Sequence, residues 1–270
     1  MDFNIRLRNG KILSGIIKSS GEDLKAVIIL VHGLGEHIQR YNSWADLFKS
    51  ENIGFAGVDL PGHGRSEGKR GHIHPFSVTS EMLDILIKSC NQTFPGTPVY
   101  LYGHSLGGTI VLDYLLKKSP RVRGAIVSSP LLRLGFEPSK SKVQLASVMK
   151  YLIPALIQPS GLIQDHLSHD KKVVENYKND PLVHGRISVS LFHGMMSSAK
   201  YCLEHASELK VPALLIHGGD DLICSPEGSR EFASKSQKVS FKIWDGGYHE
   251  LHNEVFRDEV FRYISKWIKI

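Results

Sequence analysis

The feature that most constrains this chain is a regular alternation of short β-rich runs with amphipathic helical patterns. Apolar, largely β-branched runs predict strands at 26–31, 54–58, 99–102, 124–127, 213–216 and 239–244. Helical spacing of apolar residues predicts helices near 42–50, 78–90, 106–118, 227–236 and 255–268. Strands that alternate with helices form a mostly parallel sheet with helices on both faces. The alternation therefore predicts an α/β fold.

The first residues depart from this alternation. Two short β-patterned segments, 3–8 and 12–18, flank the dipeptide Asn9-Gly10. Asn-Gly is a strong signal for a tight hairpin turn, because both residues tolerate positive φ. We therefore expect an antiparallel hairpin on the edge of the sheet.

The alternation also lapses between about residues 130 and 200. Apolar residues recur there at helical spacing and are interrupted by two prolines: Leu145, Val148, Leu152 and Leu156, with Pro154 and Pro159. A second helical pattern follows at 188–206, with no β-run between them. The pattern predicts a helical cap inserted after the sixth strand, over the sheet edge where open α/β sheets bind ligands. The predicted organisation is core 1–129, cap 130–200 and core 201–270.

Composition narrows the function classes. The net charge is +6, but Lys and Arg are scattered and form no basic run, which argues against a nucleic-acid partner. The three cysteines, Cys90, Cys202 and Cys224, lack C-x-x-C spacing and indicate neither a disulfide framework nor zinc. The first residues lack a signal peptide's apolar segment, and no stretch approaches 18 uninterrupted apolar residues. A cytoplasmic location is predicted.

One serine lies in a G-x-S-x-G pattern, within "GHSLGG" at 103–108. The motif alone is weak, because chance matches are frequent. Its context is stronger, since a predicted strand ends at residue 102 and a helical pattern begins at Leu106. This is the arrangement of a nucleophile elbow, in which glycines permit a strained strand-to-helix turn that exposes the serine hydroxyl. Ser105 is therefore the candidate nucleophile.

A serine nucleophile needs a base and an orienting acid. In folds with this elbow the chain order is serine, acid, histidine. Asp220 and Asp221 follow the strand at 213–216, and His249 follows the strand at 239–244. Both positions lie at strand carboxyl ends, as a shared site requires. Spacing does not choose between the two aspartates.

The tetrahedral intermediate of acyl transfer also needs hydrogen-bond donors for its oxyanion. One expected donor is the backbone N–H of Leu106, directly after the nucleophile. The second should come from the glycine-containing loop after the strand at 26–31, "HGLG" at 32–35, and we assign it to the N–H of Leu34.

Five motifs together resemble the monoacylglycerol lipase group of the α/β-hydrolases: "HGLGEHIQRY", "DLPGHGRSEG", "GHSLGG", "HGGDDLICSPEGS" and "GGYHELHNE". The combination of HGxGEH with YHxxHNE is the specific part. The resemblance is dense in these loops and thin in the cap, apart from "ENYKNDPL". It implies an α/β-hydrolase fold with the triad Ser105, Asp221 and His249, and so selects Asp221 over Asp220.

The resemblance also implies a substrate. Members of this group split one acyl chain from glycerol, beneath a cap that covers an apolar tunnel. The polar end of the substrate is held by residues that match Glu36, Arg40, Tyr177 and His252 here. Cys224 matches a cysteine that lines the pocket in some relatives. Segment 136–170 matches no motif of the group, which leaves the acyl-length preference open.

The leading hypothesis is a serine hydrolase that cleaves monoacylglycerols through an acyl-enzyme, without metal or cofactor. A lysophospholipase or a broader carboxylesterase is the alternative within the enzyme class. A non-catalytic binding protein with the hydrolase fold is the alternative outside it. The expected partner is a small lipid ester, with peripheral contact to a membrane or lipid surface through the cap.

Overall fold

The structure, a computed structural model, describes residues 1–21, 23–136 and 152–268. Its strands are β1 (Asp2–Arg6), β2 (Ile12–Lys18), β3 (Ala26–Val31), β4 (Ile53–Val58), β5 (Val99–His104), β6 (Gly124–Ser128), β7 (Ile157–Pro159), β8 (Arg186–Ser188), β9 (Ala213–Gly218) and β10 (Val239–Trp244). Eight of them form one sheet in the order β1-β2-β4-β3-β5-β6-β9-β10. The strands from β4 to β10 in that order are parallel to one another. The α/β-hydrolase fold predicted from the sequence is confirmed.

Helices cover both faces of the sheet. The α-helices with described bounds are α1 (Asn42–Ser50), α2 (Val78–Thr93), α3 (Leu106–Lys118), α4 (Lys171–Asn179), α5 (Val189–His205), α6 (Pro226–Lys235) and α7 (Arg257–Ile268). Apolar side chains of α1 and α7 form the core on one face, and those of α2, α3, α5 and α6 form the core on the other.

Strand β3 shows how the two cores are built. Val27, Ile29 and Val31 belong to one apolar cluster, whereas Ile28 and Leu30 belong to the other. Successive side chains of a strand point to opposite faces, so a strand buried on both faces must be apolar throughout. Each fully buried side chain of this size contributes about 1.5–3 kcal/mol.

The predicted hairpin is present. Strands β1 and β2 pair antiparallel, and β2 pairs antiparallel with β4 at the edge of the parallel sheet. Gly10 adopts φ +86° in the connecting turn, and its N–H donates to the Leu7 carbonyl at 2.9 Å. The positive φ explains the glycine at this position.

The cap contains one feature that the predicted helical pattern did not include. The described cap contains a short antiparallel ribbon, β7 paired with β8. These three-residue strands are too short to produce a periodic pattern, and Pro154 and Ala155 form a turn before β7. Leu152 and Leu156 are exposed. Leu145 and Val148, from the same predicted apolar stripe, lie outside the described residues.

The predicted cap boundary at residue 200 also needs correction, because it falls inside the continuous helix α5. Leu191, Met195 and Cys202 of this helix are buried in the core cluster shared with α3 and α6. Helix α5 therefore packs as part of the core. Within the described ranges, no helix combines the length and apolar character needed to cross a bilayer.

Candidate active site

Ser105 lies in a sharp turn between β5 and α3. Its backbone has φ +55° and ψ −119°, a conformation that costs energy for a residue with a side chain. The neighbouring glycines are required by close backbone approaches. A Cβ on Gly107 would lie 2.0 Å from the Val31 carbonyl oxygen, and one on Gly103 would lie 2.5 Å from the Gly107 carbonyl oxygen. The predicted elbow is therefore present.

The acid and the histidine predicted to follow the serine are in contact. His249 Nδ1 and Asp221 Oδ2 are 2.7 Å apart, and both side chains are buried. Asp220, the neighbouring aspartate, is exposed. The structure thus pairs the histidine with the aspartate that the family resemblance selected.

Asp221 is held as a carboxylate by several donors. Its Oδ1 accepts the backbone N–H groups of Ile223 and Cys224 at 2.8 and 3.0 Å, and its Oδ2 also contacts His217 Nε2 at 3.0 Å. Burial by itself would raise the pKa of Asp221. The adjacent His249 and the hydrogen bonds from both histidines outweigh burial, so the pKa lies well below its ordinary value.

The pKa of His249 is displaced in the opposite direction. Burial disfavours the imidazolium, but the charge and hydrogen bond of Asp221 favour it more strongly. The carboxylates of Glu250 and Glu36 act in the same sense. The net effect raises the pKa of His249 above 6.5, which strengthens the imidazole as a base.

The serine hydroxyl is oriented toward a thiol. Among the described residues, Ser105 Oγ contacts Cys224 Sγ at 4.0 Å and has no hydrogen bond to His249. Ser105 and His249 nevertheless line the same small cavity. Hydrogen bonds between catalytic groups are often long in unliganded sites and tighten when substrate binds.

The two predicted oxyanion donors lie beside the serine. Leu34 and Leu106 line one cavity with Ser105, and within the described chain neither backbone N–H donates to a protein acceptor. The N–H of Gly33, by contrast, donates to Glu36 Oε1 at 2.6 Å. The N–H of Leu34 is therefore available to an oxyanion, whereas that of Gly33 is not.

Two cavities of different character meet at Ser105. The apolar one is lined by Leu34, Ser105, Leu106, Leu131, Leu134, Phe136, Ser160, Leu162, Ile187, Phe192, Met195, Ile223 and Cys224. The more polar one is lined by Gly33, Leu34, Glu36, His104, Ser105, Leu162, Leu167, Tyr177, His249 and Glu250. Among the residues that the structure describes, Leu34, Ser105 and Leu162 belong to both. The linings of the two cavities match the two ends of a molecule that has an apolar arm and a polar arm, with the serine at their junction.

A buried ion-pair cluster forms the wall of the polar cavity. The Arg40 guanidinium donates to both carboxylate oxygens of Glu250 at 2.7 Å and also pairs with Glu36. Glu36 Oε1 additionally accepts the Tyr41 hydroxyl at 2.8 Å. The guanidinium lies 4.6 Å from the centre of the Tyr177 ring, within the range of a cation–π contact.

Of the four residues predicted to hold the polar end of the substrate, two line the polar cavity and two do not. Glu36 and Tyr177 line the polar cavity, whereas Arg40 and His252 do not. Arg40 is enclosed by its two carboxylate partners. His252 is buried, stacks on Tyr41 at 4.5 Å and lies edge-on to His104 at 4.9 Å. His252 therefore packs behind the site.

Sequence reasoning missed Glu250 and Glu254. Glu250 directly follows His249, but no local pattern indicates its two bonds to Arg40, because the two residues are 210 positions apart in the chain. Glu254 is buried and accepts the Tyr248 N–H at 2.8 Å, next to the histidine. The sequence feature that could have pointed to Glu254 is its place in the motif "HNE" at 252–254.

The cysteines and other possible ligands form no metal centre in the described ranges, where no group of three or more His, Cys, Asp or Glu is arranged to hold an ion. Cys90, Cys202 and Cys224 are free and buried. Burial, followed by the nearby Asp221 charge, raises the pKa of the Cys224 thiol well above its ordinary value.

Comparison with known proteins identifies the class to which this chain belongs. Residues 22–255 match the Hydrolase_4 family, described as serine aminopeptidase S33, so the chain is a serine hydrolase of the α/β-hydrolase fold. The crystal structure of Paleococcus ferrophilus monoacylglycerol lipase superposes with a TM-score of 0.87 at 32% identity, over 94% of this chain and 97% of that one.

Proteins of similar sequence identify the family of this chain more closely. Monoacylglycerol lipase from Mycolicibacterium smegmatis is 31% identical over 91% of this chain and 89% of its own length. Phospholipase YtpA from Bacillus subtilis is 30% identical over 88% of this chain and 92% of its length. An uncharacterized abhydrolase domain-containing protein from Dictyostelium discoideum is 35% identical over 90% of this chain. That protein is much longer, and the match covers 26% of its length. The chain belongs to the monoacylglycerol lipase group of the α/β-hydrolases.

Proposed function

We propose that this protein hydrolyses monoacylglycerols to a fatty acid and glycerol, through a covalent acyl-enzyme on Ser105. The observation that carries the proposal is the meeting of an apolar and a polar cavity at this serine. A monoacylglycerol has the same division, with an acyl chain on one side of its ester and a diol on the other.

The chemistry follows from the paired groups. Rotation about χ1 of Ser105 turns Oγ from Cys224 toward Nε2 of His249, the ring nitrogen opposite the one bound to Asp221. His249 takes the hydroxyl proton as Oγ attacks the ester carbonyl, and Asp221 stabilises the imidazolium. The backbone N–H groups of Leu34 and Leu106 receive the negative charge that develops on the carbonyl oxygen.

Collapse of this intermediate breaks the ester bond. The imidazolium of His249 returns the proton to the departing glycerol oxygen, which leaves the acyl group on Ser105. A water molecule then attacks the acyl carbonyl as His249 takes one of its protons. The bond between the acyl carbon and Ser105 Oγ breaks, His249 returns the proton to Oγ, and the fatty acid is released. No step requires a metal or cofactor.

The polar cavity favours an uncharged head group. The Tyr177 hydroxyl has no hydrogen-bond partner within the described residues, so it is free to bind a substrate hydroxyl. The positive charge of Arg40 is already bound by Glu36 and Glu250, and is not free to pair with a phosphate. These contacts support glycerol over a phosphodiester. A lysophospholipase remains the second candidate, because one similar protein is a phospholipase.

The cap supports a contact with a lipid surface. Leu152, Ile153, Leu156 and Ile163 of the described cap are all exposed, and Leu162, which precedes Ile163 in the chain, lines both cavities. Exposed apolar side chains on the element that covers a site are suited to contact lipid. Co-sedimentation with anionic and neutral liposomes tests this contact. A cytoplasmic location is part of the same proposal.

Parallel hydrolysis assays test the function. Monoacylglycerols, lysophospholipids, and di- and triacylglycerols of one acyl length are compared with the wild-type protein and Ser105→Ala. We expect monoacylglycerol to give the highest kcat/KM, and the variant to lose about 10⁴-fold or more while it keeps its Tm. Preference for lysophospholipid would favour the second candidate. Wild-type activity retained by Ser105→Ala would overturn the proposed mechanism.

A further inference from the structure

The base of the cap, defined here as residues 167–169 and 177–184, contacts two loops of the core. One is the oxyanion loop, residues 33–37, which carries Leu34. The other is the histidine loop, residues 245–254, which carries His249. Each contact involves hydrogen bonds between groups that are distant in the sequence, so the cap and the two loops are held together only by the tertiary fold.

The oxyanion loop is bound by backbone and side chain. The N–H of His184 donates to the Gly35 carbonyl at 2.8 Å, and His37 Nε2 lies 2.8 Å from Asp180 Oδ2. Gly35 has φ +79°, and a Cβ there would lie 2.3 Å from the His184 carbonyl oxygen. The two backbones are therefore in direct contact, one residue beyond Leu34.

The histidine loop is bound in a similar way. The N–H of Glu250 donates to the Leu167 carbonyl at 2.8 Å. His169 Nδ1 lies 3.0 Å from Glu254 Oε1, and this same oxygen accepts the Tyr248 N–H at 2.8 Å. The cap thus binds the residues directly before and after His249.

We propose that the base of the cap belongs to the catalytic scaffold, with Asp180 and His169 as positioning residues. Asp180, through His37, fixes the direction of the Leu34 N–H. His169, through Glu254, fixes the place of His249. This inference rests on the proposed serine-hydrolase function.

Such positioning matters because the reaction tolerates only small displacements of its catalytic groups. An oxyanion donor is effective only at about 2.7–3.1 Å from the developing charge, and a displacement of about 1 Å at a catalytic group can cost about 10²-fold. The oxyanion loop is rich in glycine, which restrains its backbone poorly. Contacts from the cap add to the restraint that the Gly33–Glu36 hydrogen bond supplies within the loop. The cap must then be in place even for a short substrate.

The experiment uses p-nitrophenyl butyrate, which has no glycerol and a short acyl chain. Asp180→Ala and His169→Ala are compared with Asp165→Ala, an exposed cap acid that pairs with Lys178 and contacts neither loop. We expect kcat to fall about 10-fold in each of the first two, with KM within about twofold, since each loop is loosened without being lost. The Ki of a short-chain trifluoromethyl ketone, which forms an oxyanion on Ser105, should rise by the same factor.

If the base of the cap only covered the acyl chain, the substitutions would leave kcat and Ki unchanged. If kcat in both variants stays within twofold of Asp165→Ala, or if only KM changes, the inference is overturned. Should Asp180→Ala fail to fold, Asp180→Ser is judged by the same criteria, because its hydroxyl can still accept the Leu182 N–H but is too short to keep the contact with His37. An inactive wild type would contradict the proposed function itself, whereas an active wild type with unaffected variants contradicts the positioning alone.

Discussion

Arg40 and Glu250 form a bidentate ion pair, with two nitrogen–oxygen distances of 2.7 Å, although 210 residues separate them in the chain. Both side chains are buried, and Glu36 binds the same guanidinium. Two carboxylates therefore share one cation beside His249. This cluster connects the oxyanion loop to the histidine loop through the core, while the cap connects them from above.

Loss of one carboxylate should weaken the fold. Glu250→Gln leaves Arg40 with Glu36 alone, and we expect the free energy of unfolding to fall by about 1–3 kcal/mol, because hydrogen bonds to a buried charge are lost. Urea denaturation measures the change. Glu231→Gln, which breaks a more exposed pair with Arg133, should cost under about 1 kcal/mol. Equal losses in the two variants would contradict a stabilising role for the cluster.

The same variant predicts a pH dependence. Burial by itself would raise the pKa of Glu250 above its ordinary value of 4.5. The charge and the hydrogen bonds of Arg40 outweigh burial and lower the pKa to about 2. A carboxyl with a lowered pKa contributes stability that is complete above its unfolded pKa and is lost as pH falls through the folded one. The stability difference between wild type and Glu250→Gln should thus be constant above pH 4.5 and shrink toward pH 2. A difference that grows on acidification would contradict this assignment.

The two adjacent aspartates should differ sharply. Asp221→Asn should lower kcat by about 10³- to 10⁴-fold, because an amide stabilises the wrong histidine tautomer. Asp220 is exposed and lies outside the pair with His249, so Asp220→Asn should have little effect. Steady-state kinetics on p-nitrophenyl butyrate distinguish the variants. The reverse ranking would mean that Asp220 is the acid.

The pH profile of kcat/KM should report His249. Burial lowers the pKa of this imidazole, but Asp221, with added contributions from Glu250 and Glu36, raises it above 6.5. A general base must be neutral, so activity should fall as pH decreases through a midpoint above 6.5. Glu250→Gln removes one of the nearby negative charges and should move the midpoint to lower pH. A midpoint unchanged in that variant would show that Glu250 does not act on His249.

The head-group contact is tested best at Tyr177. Glu36 lines the polar cavity and also accepts the Gly33 N–H, so we expect Glu36→Gln to impair the hydrolysis of p-nitrophenyl esters as well as of monoacylglycerols. Tyr177→Phe leaves that loop intact and should lower kcat/KM for monoacylglycerol about 2- to 12-fold, the equivalent of one hydrogen bond of about 0.5–1.5 kcal/mol. An equal loss on a p-nitrophenyl ester of the same acyl chain would argue against glycerol binding by Tyr177.

Local patterns in the sequence determined the sheet and its order of elements. The predicted strands at 26–31 and 239–244 coincide with β3 and β10, and the predicted helices at 42–50 and 106–118 coincide with α1 and α3. Periodicity and turn chemistry act between neighbouring residues, so they can be read from the chain directly. The same holds for the elbow at Ser105, where strand, glycines and helix are contiguous.

Only the tertiary structure decided how the site is held together. It enclosed Arg40 between two carboxylates and placed His252 behind the cavity, and it brought Asp221 against His249, a pairing that spacing left open and the family resemblance implied. It also joined His37 to Asp180 across 143 residues and built the ribbon of β7 and β8. Contacts of this kind depend on which surfaces the whole fold brings together. No local propensity encodes them, because each partner has the same local sequence whether or not the other is near.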